Sequence, residues 1–222
     1  MARANVKVNQ SLPPASSNSG RQTIVHQIPP VWNEHSRVLI LGTMPSPKSR
    51  AAGFFYMHPQ NRFWRVLPAV FGETLALPNN PSGSCNFGIP TNPRVSNNSS
   101  GATNSSMSTN LSAAISERRQ FLLDHKIALW DVLASCDIQG AADSSIKNAV
   151  PNDFAKIFGL AKIRRVFCAG KTAFALWKKF CAPLYEARFG IEAECLPSPS
   201  PANASWSFER LLSEWARVKD WT

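Results

Sequence analysis

The sequence predicts an α/β fold in which a short parallel sheet of four strands is covered by helices on both faces. Three observations carry that expectation. Residues 38–41, 127–130 and 164–168 are short, mostly apolar runs, the pattern of strands buried on both sides, and 191–196 is a fourth short strand candidate. The segments between them carry helical spacing, and strand–helix alternation is the signature of a parallel sheet. The chain has 222 residues, of which 44% are hydrophobic, enough for one substantial core but not for two full domains.

Taken in order, residues 1–33 contain Arg3, Lys7 and Arg21, no acidic residue, and many Ser, Asn and Pro, and they read as a flexible basic tail ahead of a single domain over 34–222. The first strand, 38–41, ends at Gly42, which lets the backbone turn sharply off the sheet. A helix is expected from about residue 61, because Phe63, Trp64, Leu67, Val70 and Phe71 fall on one face. Residues 79–116 are rich in Ser and Asn, lack acidic residues and cannot bury a core, so they are expected to loop out as a disordered insertion. Helix is then expected at 117–125, strand at 127–130, helix at 152–160, strand at 164–168 and helix at 171–180. A strand at 191–196 and an amphipathic helix at 204–218 complete the series.

The formal charge of +10 favours a polyanionic partner, nucleic acid above all, although an acidic protein would also satisfy it. Five scattered cysteines with no Cys-x-x-Cys pair indicate neither a disulfide framework nor a metal centre, and no cofactor is expected. No apolar run approaches the roughly 20 residues of a membrane span, and no signal peptide is visible. A soluble intracellular monomer is therefore expected: nuclear if the source is eukaryotic, with an organelle as the alternative address, and cytoplasmic if bacterial. Ala169-Gly-Lys-Thr172 suggests a nucleotide-triphosphate loop, but Arg165 stands where that motif requires glycine.

Ligands of open α/β sheets bind beyond the carboxyl ends of the strands, and the segment after Gly42 has the chemistry for it. Pro45, Pro47 and Pro59 stiffen the loop, while Ser46, Lys48, Ser49, His58 and Asn61 supply polar groups suited to a phosphate backbone and a heterocyclic base. Phe54, Phe55 and Tyr56 offer faces for stacking. Lys171 follows Gly170 at another strand-to-helix turn, where it could hold a phosphate. The plainer alternative is that the aromatics are core, Asn61 and Asn203 are helix caps and Lys171 is a solvated side chain.

Four segments, in order, resemble the uracil-DNA glycosylase superfamily and within it the hypoxanthine-DNA (deoxyinosine) glycosylase branch. They are Val38-Leu-Ile-Leu-Gly-Thr-Met-Pro-Ser with Tyr56-Met-His-Pro-Gln-Asn-Arg-Phe-Trp64; Leu129-Trp-Asp-Val-Leu-Ala-Ser-Cys136 with Asp143-Ser-Ser-Ile-Lys-Asn148; Val166-Phe-Cys-Ala-Gly-Lys171; and Leu196-Pro-Ser-Pro-Ser-Pro-Ala-Asn203. The resemblance implies a three-layer α/β/α fold and a monofunctional base excision repair enzyme acting on DNA that contains deaminated bases. It implies that Asn61 is the catalytic amide and that Tyr56 stacks on the base. Gly42, Thr43, Met44 and His58 would complete the base site, with backbone groups at 43 and 44 meeting the base edge. Asp131 and Asn148 would line the pocket or touch DNA, whereas Asp143 reads as a turn cap. Ser46, Lys48, Ser49, Lys171, Ser198, Ser200 and Asn203 would bind the DNA backbone.

Two departures matter. Met44 occupies a place where several branches carry Asp or Asn to position water, which favours the hypoxanthine branch over a uracil-specific mechanism. The last motif opens with Leu196 and has Ser200 or Pro201 in place of a bulky wedge, so weak strand separation is expected. The alternatives are a uracil- or mismatch-directed relative and a non-catalytic DNA-binding protein with this fold.

Overall fold

The computed structural model describes residues 20–76, 104–140 and 142–222. In chain order its elements are β1 (Arg21–Val25), β2 (Val38–Gly42), α1 (Pro47–Ala52), α2 (Phe63–Val70), α3 (Asn104–Asp124), β3 (Ile127–Asp131), β4 (Leu133–Gln139) and β5 (Lys147–Pro151). They continue as α4 (Ala155–Leu160), β6 (Arg165–Ala169), α5 (Lys171–Leu176), α6 (Ala182–Phe189), β7 (Ala193–Leu196) and α7 (Phe208–Trp215).

The four expected strands form one parallel sheet in the order β3-β2-β6-β7. Strand side chains alternate between faces, and here both faces are dry. Val38, Ile40, Leu129 and Phe167 pack with α2, α3 and α7 through Phe63, Leu67, Leu122 and Trp215. Leu39, Leu41, Val166 and Cys168 pack on the other face with α4, α5 and α6 through Phe158, Ala173 and Tyr185. Burial on both sides is why β2, β3 and β6 read as apolar runs, while the edge strand β7 is half-buried, and the result is a three-layer α/β/α sandwich.

Several boundaries differ from expectation. β1 lies inside the segment read as a flexible tail, where it pairs antiparallel with β4; β4 pairs in turn with β5 to make a second, three-stranded sheet. After β1, Ile28 and Val31 enter the core, and Val31 exchanges backbone bonds of 3.0 and 2.8 Å with Leu129. α3 starts at Asn104, within the presumed insertion, while 79–103 and 1–19 lie outside the described residues. The helix expected over 152–160 is shortened because 147–151 is strand, and Asn152 uses its side-chain amide to hold the carbonyls of Asp131 and Leu133. The helix at 171 continues through a π turn (Trp177–Cys181) into α6, which ends at Gly190, where φ is +62°. The last helix begins at Phe208, capped by Ser207.

Candidate active site

Beyond the carboxyl ends of β2, β3, β6 and β7 lies a cleft of about 1050 Å³. Thirteen of the fifteen residues expected at the site line it: Gly42, Thr43, Met44, Ser46, Ser49, Tyr56, His58, Asn61, Asp131, Lys171, Ser198, Ser200 and Asn203. The strand ends are held firmly, Val132 N–H donating to the Gly42 carbonyl at 2.9 Å and Leu133 N–H to that of Thr43 at 3.2 Å. Gly42 is required by crowding: a β-carbon there would lie 2.1 Å from Asp131 Oδ1 and 2.8 Å from the Tyr56 hydroxyl.

Asn61 unites its two readings. Its Oδ1 accepts the Phe63 N–H at 3.0 Å at the start of α2, so it does cap that helix. With the oxygen bonded to the helix start, the NH₂ end is open to donate. Tyr56 stacks on Phe63 with ring centroids 3.9 Å apart and planes 7° from parallel, which leaves one face for a base. It sits at φ +56°, an uncommon backbone conformation for tyrosine. Its hydroxyl is buried without a hydrogen-bond partner, and burial, followed by the neighbouring Asp131 charge, pushes the phenol well above its ordinary range.

Two carboxylates complete the cleft floor, one of them braced from behind by a histidine. Asp131 Oδ2 is 2.9 Å from His26 Nε2, a buried contact with side chains only 5% and 2% exposed. Burial raises the Asp131 carboxyl, while the bond and charge of His26 oppose that rise. Asp143, which the sequence suggested as a turn cap, faces the cleft from a 3-10 turn, with the Thr43 side chain favouring its charged form. Its carboxyl is raised by burial and further by Asp131. Neither His26 nor Asp143 was identified as a site residue from the sequence.

On the opposite wall the loop 197–206 is organised from across the cleft. Arg62, next to Asn61, donates through its guanidinium to the carbonyls of Pro199, Ser200, Asn203 and Trp206, with distances of 3.0 Å to Ser200 and to Asn203. Asn203 Nδ2 donates to the Ser198 carbonyl at 2.9 Å, so Asn203 shapes this loop rather than presenting itself to DNA. Gly170, at φ +123°, lets the Lys171 turn approach the loop, since a β-carbon there would lie 3.1 Å from Ser198 Cβ. Trp206 also lines the cleft, with Arg210 stacked on its ring.

One expected residue lies away from the cleft, and two others sit off its open surface. Asn148 is remote from the cleft on the exposed strand β5, where its Nδ2 donates to Asp137 Oδ2 at 2.6 Å. Lys48 faces a neighbouring cavity of about 340 Å³ that shares Tyr56, His58 and Asn61 with the main cleft. Ser49 is 2% exposed and accepts the Met57 N–H at 3.1 Å, so it braces the loop and is not presented to phosphate. Among the described residues, no cluster of three or more His, Cys, Asp or Glu could hold a metal ion, and no helix is long and apolar enough to cross a membrane.

The fold and cleft define a class: a three-layer α/β/α protein with donors and acceptors facing a cleft beyond its parallel strands. Residues 29–222 match the family model of the uracil DNA glycosylase superfamily, and the chain belongs to that family. A curated relative from Methanosarcina acetivorans named hypoxanthine DNA glycosylase is 27% identical over 86% of this chain and 94% of its own length. A protein of the same name from Methanosarcina barkeri is 29% identical over the same shares. The solution NMR structure of a candidate uracil DNA glycosylase from M. acetivorans superposes with a TM-score of 0.62 at 27% identity, covering 89% of this chain and 97% of that one.

Proposed function

We propose that the protein is a monofunctional DNA glycosylase that flips a deaminated base, hypoxanthine first, out of DNA and hydrolyses its N-glycosidic bond to leave an abasic site. The observation that carries the reading is the opposed chemistry in one cleft: Asn61 offers an amide NH₂, and Asp131, with Oδ2 held by His26, offers Oδ1. Hypoxanthine presents a ring N–H and a carbonyl oxygen where adenine presents a ring acceptor and an amino group. A carboxylate acceptor therefore favours the deaminated base and leaves adenine with two acceptors face to face.

As the bond from C1′ to the base breaks, its electrons pass to the base, and a fixed amide donor is strongest where that charge develops. Met44 has no group to position water, so bond cleavage runs ahead of attack through an oxocarbenium-like sugar. Water then adds to C1′ and its proton passes to the departed base or to solvent. Lys171 is exposed at the rim and Lys48 faces the neighbouring cavity, which suits a mechanism without a lysine nucleophile. The protein works as a monomer, without metal or nucleotide cofactor, in whichever compartment holds the DNA.

A uracil-directed reading is the second choice, because uracil also carries a ring N–H beside a carbonyl and one similar structure is described as a candidate uracil DNA glycosylase. Purified protein should be incubated with otherwise identical oligonucleotides bearing hypoxanthine, uracil or xanthine, with and without chelator, followed by alkaline cleavage of abasic sites. Hypoxanthine is expected to be released fastest, with no effect of chelator. Preferential release of uracil would transfer the assignment to the second reading, and activity abolished by chelator and restored by zinc would overturn the mechanism.

A further inference from the structure

His26 precedes the residues 29–222 that match the family, yet it reaches the most buried carboxylate of the cleft. Its ring sits between Phe55, with centroids 6.1 Å apart, and the edge of Trp130 at 6.3 Å. Its backbone N–H donates to the Ala134 carbonyl at 2.7 Å. With ring and backbone both held, the imidazole selects which Asp131 oxygen it occupies. The other, Oδ1, is the one beside the Gly42 α-carbon and the Tyr56 hydroxyl.

We propose that His26 is a positioning residue for excision, holding Asp131 as a carboxylate with Oδ1 presented to the ring N–H of the flipped base. The inference rests on the glycosylase reading above. The titratable groups around Asp131 are His26, Tyr56 and Asp143, with Arg50, His58, Lys171, Cys195 and Glu214 on the cleft walls. Among the described residues, His26 alone hydrogen-bonds the Asp131 side chain. Without the imidazole, burial acts on Asp131 unopposed and the carboxyl takes up a proton at higher pH. A protonated carboxyl no longer presents the same acceptor to a base that brings its own hydrogen.

The test uses the full chain as wild type, His26→Ala and His26→Gln, in single-turnover excision from a hypoxanthine oligonucleotide across about pH 5.5–9. The Asp131 carboxyl carbon is followed by NMR on the same proteins. In His26→Ala the acid limb should move up by about a unit or more, so that excision at a fixed pH on that limb falls by up to about tenfold and is regained on the alkaline side. The Asp131 resonance should titrate correspondingly higher. His26→Gln, whose side-chain amide can reach the same oxygen, should stay close to wild type. A pH-independent loss that tracks lowered thermal stability, or a wild-type profile in His26→Ala, overturns the proposal. If the wild-type protein releases none of the three bases, the glycosylase reading falls. The Asp131 titration then decides the pairing by itself, and an unshifted resonance in His26→Ala overturns it.

Discussion

The oxygen of Asn61 is committed to the Phe63 N–H, and this division of one amide sets the sign of its chemistry. Asn61→Ala should lower single-turnover excision by roughly 10²–10³-fold, the usual effect of deleting one preorganised donor, while binding to a non-cleavable duplex changes little. Asn61→Asp keeps the cap but substitutes an acceptor for the donor, so it should be no more active than alanine. Gly42→Ala tests the same cleft by crowding. Its methyl group would displace Asp131 Oδ1 and the Tyr56 hydroxyl, and excision should fall about 10²-fold in a protein that remains folded by circular dichroism. Retained turnover in either case would move the chemistry away from this floor. Asn61, Tyr56 and Asp131 were legible in the sequence because they lie in or beside strand-end motifs. His26 was not, because a lone histidine among Ser, Asn and Pro carries no local mark of the carboxylate it meets across 105 residues. Asn148 misled for the opposite reason: a polar residue within a matched segment can serve an exposed strand, here bonding Asp137 on the neighbouring one.

At the scale of elements, the central strands were readable because dryness on both faces leaves a continuous apolar run. The β1-β4-β5 sheet was not. Its edge strands are mostly solvated, carry Arg21, Gln22, Lys147 and Asn148, and lack a uniform apolar face. The loop 197–206 was readable as a motif, but what fixes it was hidden, since Arg62 bonds carbonyls that belong to no side chain. Arg62→Ala should destabilise the fold by about 1–3 kcal/mol through lost charge-assisted bonds. It should also weaken DNA binding, because Ser198 and Ser200 lose their fixed positions. Arg62→Lys retains the charge but not the planar fork, so it should recover only part of either effect. Chemical denaturation and fluorescence anisotropy on the same variants separate the two quantities. Unchanged affinity in a destabilised Arg62→Ala would mean that the loop does not grip DNA.

Across the whole molecule, the expected single α/β domain and basic charge fit one cleft in one sandwich, but the amino-terminal boundary lies earlier than composition suggested. A truncation that removes residues 1–33 deletes β1, His26, Ile28 and Val31, of which the two apolar side chains alone contribute about 1.5–3 kcal/mol each on burial. That protein should melt well below the parent and lose excision, whereas a truncation stopping before Gly20 keeps every described contact and should behave like the parent. Equal melting temperatures for the two would show that β1 is dispensable. The long reach from β1 to β4 also governs when the enzyme comes into being. Thr23 and its partner Asp137 are 114 residues apart in sequence. Closing such a distant pair is entropically slow and must await the later strand. A chain made from its amino terminus cannot complete this pairing until β4 has left the ribosome, so the strand that carries His26 is locked in place only after more than half of the chain has emerged.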